Sequence, residues 1–301
     1  MRPAAYSDCS ATTVTMKINP QTVSWLQVAP LTVVLLVFFG IPMLLVGAVS
    51  FFDYERWQIV PTFILDNYIE LFQSSLTLRL YLTAIKYVVI VWAVTLVVGF
   101  TVAYFLVFHV RSLTLKMGLF LLCTVPFWTS NIIRMISWIP FLGRNGVFNS
   151  ALIDLGVVQQ PLSFLLFSDF AVIVAYVHLN TLFMIVPIFN SMARIDPGVI
   201  EAAHDAGASR WRVIWEVVLP LSKTGIALGS IFVITLVMGD FFVVKIMSGG
   251  QSATVVSALS TEIASLQYPP AAASAVVLVV IVALIVSAIL RLVDVRRELT
   301  G

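Results

Sequence analysis

The chain has 301 residues, 60 % hydrophobic and 11 % charged, with a formal net charge of +2 and a mean hydropathy of +1.03. Water-soluble domains carry roughly 45–50 % apolar and about 25 % charged residues, so this composition excludes an ordinary soluble fold. The near-neutral balance, with no long basic run, excludes nucleic acid as a partner. The two cysteines, Cys9 in a polar segment and Cys123 in an apolar run, do not read as a disulfide.

The first twenty residues are polar and aperiodic and end at Pro20, which predicts disorder there, within an N-terminal tail spanning 1–24. Six apolar stretches follow, each long enough to approach the roughly 20 helical residues that cross a bilayer. They run approximately Val28–Phe52, Tyr87–Phe108, Met117–Ile133, Phe170–Asn190, Gly225–Val244 and Ala271–Leu290. The third is interrupted by Pro126 and closed by Arg134. The first is too long for a signal-peptide core and no cleavage site follows it, so it reads as a retained span. Alternation of period two is absent, which argues against a β-barrel and leaves helices to satisfy the backbone in lipid. The predicted class is an all-α polytopic membrane protein with six transmembrane helices.

Lys and Arg divide unevenly between the two sets of loops. One set holds Arg2, Lys17, Arg111, Lys116, Arg194, Arg210, Arg212, Lys223, Arg291, Arg296 and Arg297; the other holds Arg56, Arg79, Lys86, Arg134, Arg144 and Lys245. The positive-inside rule places the richer set, and both termini, in the cytoplasm. The expected divisions are the tail 1–24, a first helix and periplasmic loop over 25–84, a five-helix core over 85–295 and a cytoplasmic tail over 296–301. A periplasmic loop is expected over Asp53–Lys86. Another, over Gly143–Asp169, is interrupted by Pro161 and carries a short interfacial helix. Both are candidate docking surfaces for a periplasmic binding protein.

The largest cytoplasmic loop, within 194–222, reads RIDPGVIEAAHDAGASRWRVIWEVVLPLSK to Lys223. Asp196 is placed to cap a short helix with Pro197 at its first position, and Gly207 to end it in the left-handed conformation. Ser209 would cap a second helix that stops before Pro220. Trp211, Ile214, Trp215 and Val218 fall at i, i+3, i+4 and i+7, one apolar face that reads as a docking element.

Glu201-Ala202-Ala203, then Gly207, Val217 and Leu219-Pro220, resemble the EAA loop of binding-protein-dependent ABC importer permeases, with Val217 where that family usually has Ile. The run from Pro126 to Asn149, through Trp128, Ser130, Arg134, Trp138, Leu142, Gly143 and Gly146, is similar to the spermidine/putrescine-type subfamily. Gly239-Asp240-Phe241 with Gly249-Gly250, and Asp66-Asn67-Tyr68, also resemble that subfamily, although a proline it often shows is replaced here by Val244-Lys245. The resemblance implies a type I ABC importer permease fold in a bacterial inner membrane. It assigns ATPase coupling to Glu201, Ala202, Ala203, Asp205, Gly207, Leu219 and Pro220. It implies as partners an ABC ATPase dimer that binds ATP and Mg, a second homologous permease and a periplasmic substrate-binding protein, with the bilayer around them. The expected cargo is a polyamine or related amine-bearing solute; the alternatives are an amino-acid derivative, an opine or an organic anion.

No G-x-x-x-x-G-K-[ST] run occurs, so ATP hydrolysis is expected of another polypeptide and no cofactor of this chain. His109, His178 and His204 lack metal-ligand spacing, and no nucleophile–base arrangement stands out; neither a catalytic nor a metal residue is expected. Ionisable groups at membrane depth are costly and mark cavities or pairs. Trp128, Arg134, Trp138, His178 and Asp240 are therefore the candidate lining of a substrate path. Each has a plainer reading. His178 and Asn180 would bond a neighbouring helix, Arg134 and Asp240 would pair with each other, and Lys245 would snorkel to the interface. The two tryptophans would anchor at the interface rather than stack on a cation. The rival class, an ion-coupled secondary transporter, predicts an internal repeat, and none is seen between residues 28–143 and 170–290. A membrane-embedded enzyme would need a cluster of His, Asp or Glu on facing spans, and none appears.

Overall fold

A computed structural model describes residues 20–55 and 58–293; the predicted disorder of the first residues and the C-terminal tail lie outside them. Helix α1 (Gln27–Val49) is apolar throughout and forms a unit by itself up to residue 48. The remainder forms a second unit. It opens with a hairpin absent from the sequence reading, β1 (Asp53–Glu55) against β2 (Gln58–Val60), antiparallel with Tyr54 opposite Ile59. Helix α2 (Asp66–Gln73) follows, then α3 (Ser75–His109), α4 (Leu113–Trp128), α5 (Asn131–Ile136), α6 (Trp138–Leu142) and α7 (Val147–Asp154). Beyond a loop come α8 (Asp169–Met192), α9 (Pro197–Asp205), α10 (Arg210–Leu221), α11 (Lys223–Gly239), α12 (Phe242–Met247), α13 (Val255–Ala264) and α14 (Tyr268–Leu292).

Among the described residues four helices, α1, α3, α8 and α14, are long and apolar enough to cross a membrane alone. Counting each of two bent pairs as one span brings the total to six: α4 with α5–α7, turned by 91°, and α10 with α11, turned by 68°. Three expected spans need correction, the fifth because its helix ends at Gly239 rather than Val244, broken at Asp240–Phe241 before α12 begins. The second starts at Ser75, not Tyr87, because Ser74 caps the helix by accepting from the Thr77 amide at 3.2 Å, so Arg79 and Lys86 ride on helix rather than loop. The third does not run straight to Ile133. It tightens into a 3₁₀ turn over Val125–Trp128 around Pro126 and bends at Thr129–Ser130. The short helix expected in the loop after Gly143 is α7.

The core lies where α3, α8 and α11 pack together, with α14 against α11, α13 and α2. Lipid offers no hydrophobic drive between helices, so close approach must supply the attraction. Gly225-x-x-x-Gly229 on α11 provides it. A Cβ at Gly225 would stand 2.4 Å from the Pro187 carbonyl oxygen and 2.6 Å from Ser191 Cβ, and one at Gly229 would stand 2.8 Å from Met184 Sδ. Polar ties cross the same core. Trp92 Nε1 donates to Ser230 Oγ at 2.8 Å, and the Tyr81 hydroxyl donates to the Ser274 carbonyl at 2.8 Å. At the start of α8, Asp169 accepts from Lys86 Nζ (2.5 Å), the Tyr87 hydroxyl (2.6 Å) and Ser252 Oγ (2.5 Å), joining α3, α8 and the loop before α13.

Candidate coupling loop and intramembrane polar cluster

Helix α9 begins as the sequence predicts: Asp196 Oδ1 accepts from the Gly198 amide at 2.9 Å and Pro197 occupies the first turn. It ends in a Schellman motif. The Ala208 amide donates to the Ala203 carbonyl at 3.0 Å and the Gly207 amide to the His204 carbonyl at 2.9 Å, with Gly207 at φ +83°. Ala203 and Ala208 are the partly buried side of this turn. Glu201, Ala202, Asp205 and Gly207 are exposed. Ser209 then caps α10, accepting from the Arg212 amide at 3.3 Å.

Two expectations for α10 fail together. The helix continues through Pro220 to Leu221, and Val218 does not share a face with the tryptophans. Residues Ile214–Val218 form a π turn, which inserts one extra residue per turn and rotates everything after it. Val213 and Val218 are consequently buried, whereas Trp211, Ile214, Trp215 and Leu219 line an apolar groove beside α3. The π turn already departs from the i→i−4 bonding that Pro220 cannot join, so the proline is accommodated there.

On the other side of α10 lies a second groove, of about 420 Å3, that the sequence did not reveal. Glu201, His204 and Arg210 of the loop face Tyr104, Phe108 and His109 at the end of α3 across it. Tyr104, Phe108 and His109 are mutually packed, with ring centroids 5.1 Å apart for Tyr104–Phe108 and 5.4 Å for Tyr104–His109. Nothing in their spacing marks them, because the stretch from Tyr87 to Phe108 reads as an unbroken apolar run.

The intramembrane candidates separate into groups. Trp138 Nε1 donates to His178 Nδ1 at 3.1 Å, and the rings meet edge-on with centroids 5.6 Å apart. His178 thus makes the interhelical bond of its plainer reading, while Asn180 donates to the Tyr176 carbonyl within α8 at 2.8 Å. Arg134 bonds Asn131 one turn away, and its Nε is buried without a partner. Among the described residues Arg134 and Asp240 form no ion pair, so of their two readings the pairing does not hold. Asp240 instead serves the start of α12: its Oδ1 accepts from the Val243 amide at 2.8 Å, and the Tyr176 hydroxyl lies 3.5 Å away. Trp128 stands apart, 83 % exposed. Lys245 is exposed on α12. Asn149, from the run that carries the subfamily resemblance, is wholly buried. It bonds the Gly143 and Leu162 carbonyls and the Leu162 amide, pinning the loop around Pro161. Its part in this fold is structural.

Residues 96–298 match the model of the family described as binding-protein-dependent transport system inner membrane component. The chain belongs to that family. This permease is 32 % identical over 249 residues to the spermidine/putrescine transport system permease protein PotB of Haemophilus influenzae, covering 82 % of the permease and 85 % of the relative. It is 30 % identical to PotB of Escherichia coli strain K12 (77 % and 84 % covered) and 27 % identical to the osmoprotective compounds uptake permease protein GgtC of a Synechocystis species (77 % and 84 %). Among solved structures, a bacterial ABC transporter involved in importing the acidic polysaccharide alginate superposes with a TM-score of 0.71 at 17 % identity, covering 90 % of the permease and 95 % of that chain. The same type of transporter in complex with an alginate pentasaccharide-bound periplasmic protein gives 0.70, covering 89 % and 93 %. The fold is that of a type I ABC importer permease, and the chain is an inner-membrane transport component.

Proposed function

We propose that the permease forms half of a translocation pathway whose opening is driven through α9 and α10 by a pair of ATPase subunits, with a second homologous permease completing the path. The loop and both termini lie in the cytoplasm, and a periplasmic binding protein delivers the solute to the other side. ATP and its magnesium are bound and used by the partner ATPase, not by this chain. The observation that carries this reading is the rigid presentation of Glu201. A capped, Schellman-closed helix holds an exposed carboxylate beside a groove, rooted in the core through Ala203, Val213 and Val218.

The test replaces Gly207 with Val and Glu201 with Lys. A β-branched residue is strained at φ +83° although nothing stands within 4 Å of its Cβ, so the damage is confined to the turn. Charge reversal at Glu201 opposes docking without touching the fold. Both variants should insert at normal levels and lose ATPase retention or solute-stimulated hydrolysis. Wild-type transport with normal ATPase retention in both would remove the loop from the coupling role.

For cargo we favour a small amine-bearing solute, on the strength of the relatives named for spermidine and putrescine. One observation favours a second reading. The unpartnered Nε–H of Arg134 suits a carboxylate or other acceptor, and Asp240 already serves as the cap of α12. Competition of uptake by putrescine or spermidine that disappears in Asp240→Asn supports the cationic cargo. Competition by an amino acid or organic anion that disappears in Arg134→Gln supports the second.

A further inference from the structure

The apolar groove on the side of α10 away from Glu201 has no part in the reading above. Its floor is Leu96, Val97 and Phe100 of α3, its wall is Trp211, Trp215 and Leu219 of α10, and it encloses about 280 Å3. Trp211 is 72 % exposed and Trp215 64 %, a contiguous aromatic surface that marks a contact with something apolar. Three observations identify that contact. The groove is continuous with the outward face of α3, where Val94, Val97 and Val98 are also exposed, and on a spanning helix such a face meets lipid. Helix α10 turns 68° away from the span α11, so it lies nearer the membrane plane than the membrane normal, as interfacial helices do. Its flank is cationic. Residues 210–223 carry Arg210, Arg212 and Lys223 against Glu216, three positive charges minus one negative, or +2. Arg212 is engaged by Glu216 at 3.0 Å and Arg210 lines the Glu201 groove, while Lys223 is exposed and makes no ion pair among the described residues.

We propose that an anionic phospholipid of the adjacent leaflet inserts an acyl chain between α10 and α3, under Trp211 and Trp215, with its head group held by Lys223, four residues beyond Leu219 of the groove wall. Tryptophan at head-group depth and basic residues beside an anionic surface are the two recurring anchors of such contacts. Protein and membrane then take opposite sides of α10, the Glu201 groove for the ATPase and the tryptophan groove for lipid. The lipid chain becomes a wedge between the coupling loop and the span it must move. The proposal needs α10 at the membrane surface but not the ATPase at Glu201, so the two ideas fail separately.

The experiment uses the intact transporter in nanodiscs of phosphatidylethanolamine and phosphatidylglycerol, with one lipid at a time carrying brominated acyl chains that quench tryptophan on contact. Of the seven tryptophans, Trp211→Phe with Trp215→Phe leaves five and keeps the groove apolar and aromatic. Brominated phosphatidylglycerol should quench the native protein more than brominated phosphatidylethanolamine, and the double variant should lose most of that excess. Lys223→Gln, which retains both indoles, should bring the two lipids level. An unchanged quenched fraction after removal of both tryptophans would mean that protein covers them, and would overturn the proposal. Equal quenching of the native protein by the two lipids would overturn it as well. Glu201→Lys, run in parallel, should alter ATPase retention while leaving the quenching unchanged.

Discussion

At the scale of single residues, the fold turns on places where one atom more or less decides the packing. Gly225 is the sharpest. Its missing Cβ is replaced by the Pro187 carbonyl at 2.4 Å, which is backbone and cannot rotate away. Gly225→Ala should therefore separate α8 from α11 and cost about 1–3 kcal/mol, read as a shorter half-life at elevated temperature in detergent. Gly118→Ala, on α4 with nothing within 4 Å, should leave that half-life unchanged or lengthen it. Glu262 on α13 poses the opposite problem, a group that is present but unsatisfied. Its Oε2 is buried without a partner, and burial pushes its carboxyl above the ordinary glutamate range. The native state therefore keeps a proton that the unfolded chain has already lost, so this residue makes stability fall as pH rises past ~4.3. Glu262→Gln should remove that slope and stabilise the protein at neutral pH, as thermal inactivation measured across pH would register. Gly207 was legible in the sequence, because a helix that must end and turn at once needs a left-handed residue. Glu262 was not, because its burial arises from packing far along the chain.

At the scale of elements, apolar runs located the spans, and local chemistry moved their ends. Arg79 and Lys86 interrupt the hydropathy of the second span, but a serine cap and good helix formers carry α3 back to Ser75. The i, i+3, i+4, i+7 count for α10 assumed 3.6 residues per turn throughout; the π turn at Ile214–Val218 shifts the fourth position from Val218 to Leu219. No composition signal announces such a turn. The Asp169 clamp was equally hidden, since its three donors come from α3 and from the loop before α13. Its removal is testable. Tyr87 is 1 % exposed, so Asp169→Ala would strand a buried hydroxyl at about 1–3 kcal/mol. Lys86 is about half exposed and loses little. Asp169→Asn retains one acceptor oxygen for Tyr87 and Ser252 and should lie between the two in thermal half-life. If Asn and Ala behave alike, the charge of Asp169 matters more than its geometry.

At the scale of the whole molecule, the charge distribution and the fold make separate statements about topology, and together they can be tested with two cysteines. Gln159 precedes α8 and Ser209 follows it, and both are exposed. The 24 residues of α8 between them rise about 36 Å at 1.5 Å per residue, more than the roughly 30 Å of hydrocarbon. Those two positions must therefore lie on opposite sides of the membrane whichever way the permease is inserted. The direction comes only from Lys and Arg, through Arg194, Arg210, Arg212 and Lys223 crowding the segment that holds Ser209. With Cys9 and Cys123 replaced, an impermeant thiol reagent should label Ser209→Cys from the cytoplasm alone and Gln159→Cys from the periplasm alone. Labelling of both from one side would contradict α8 as a span and with it the six-crossing fold. Labelling on opposite sides but reversed would leave the fold intact and refute the orientation, placing the Glu201 groove where no ATPase could reach it.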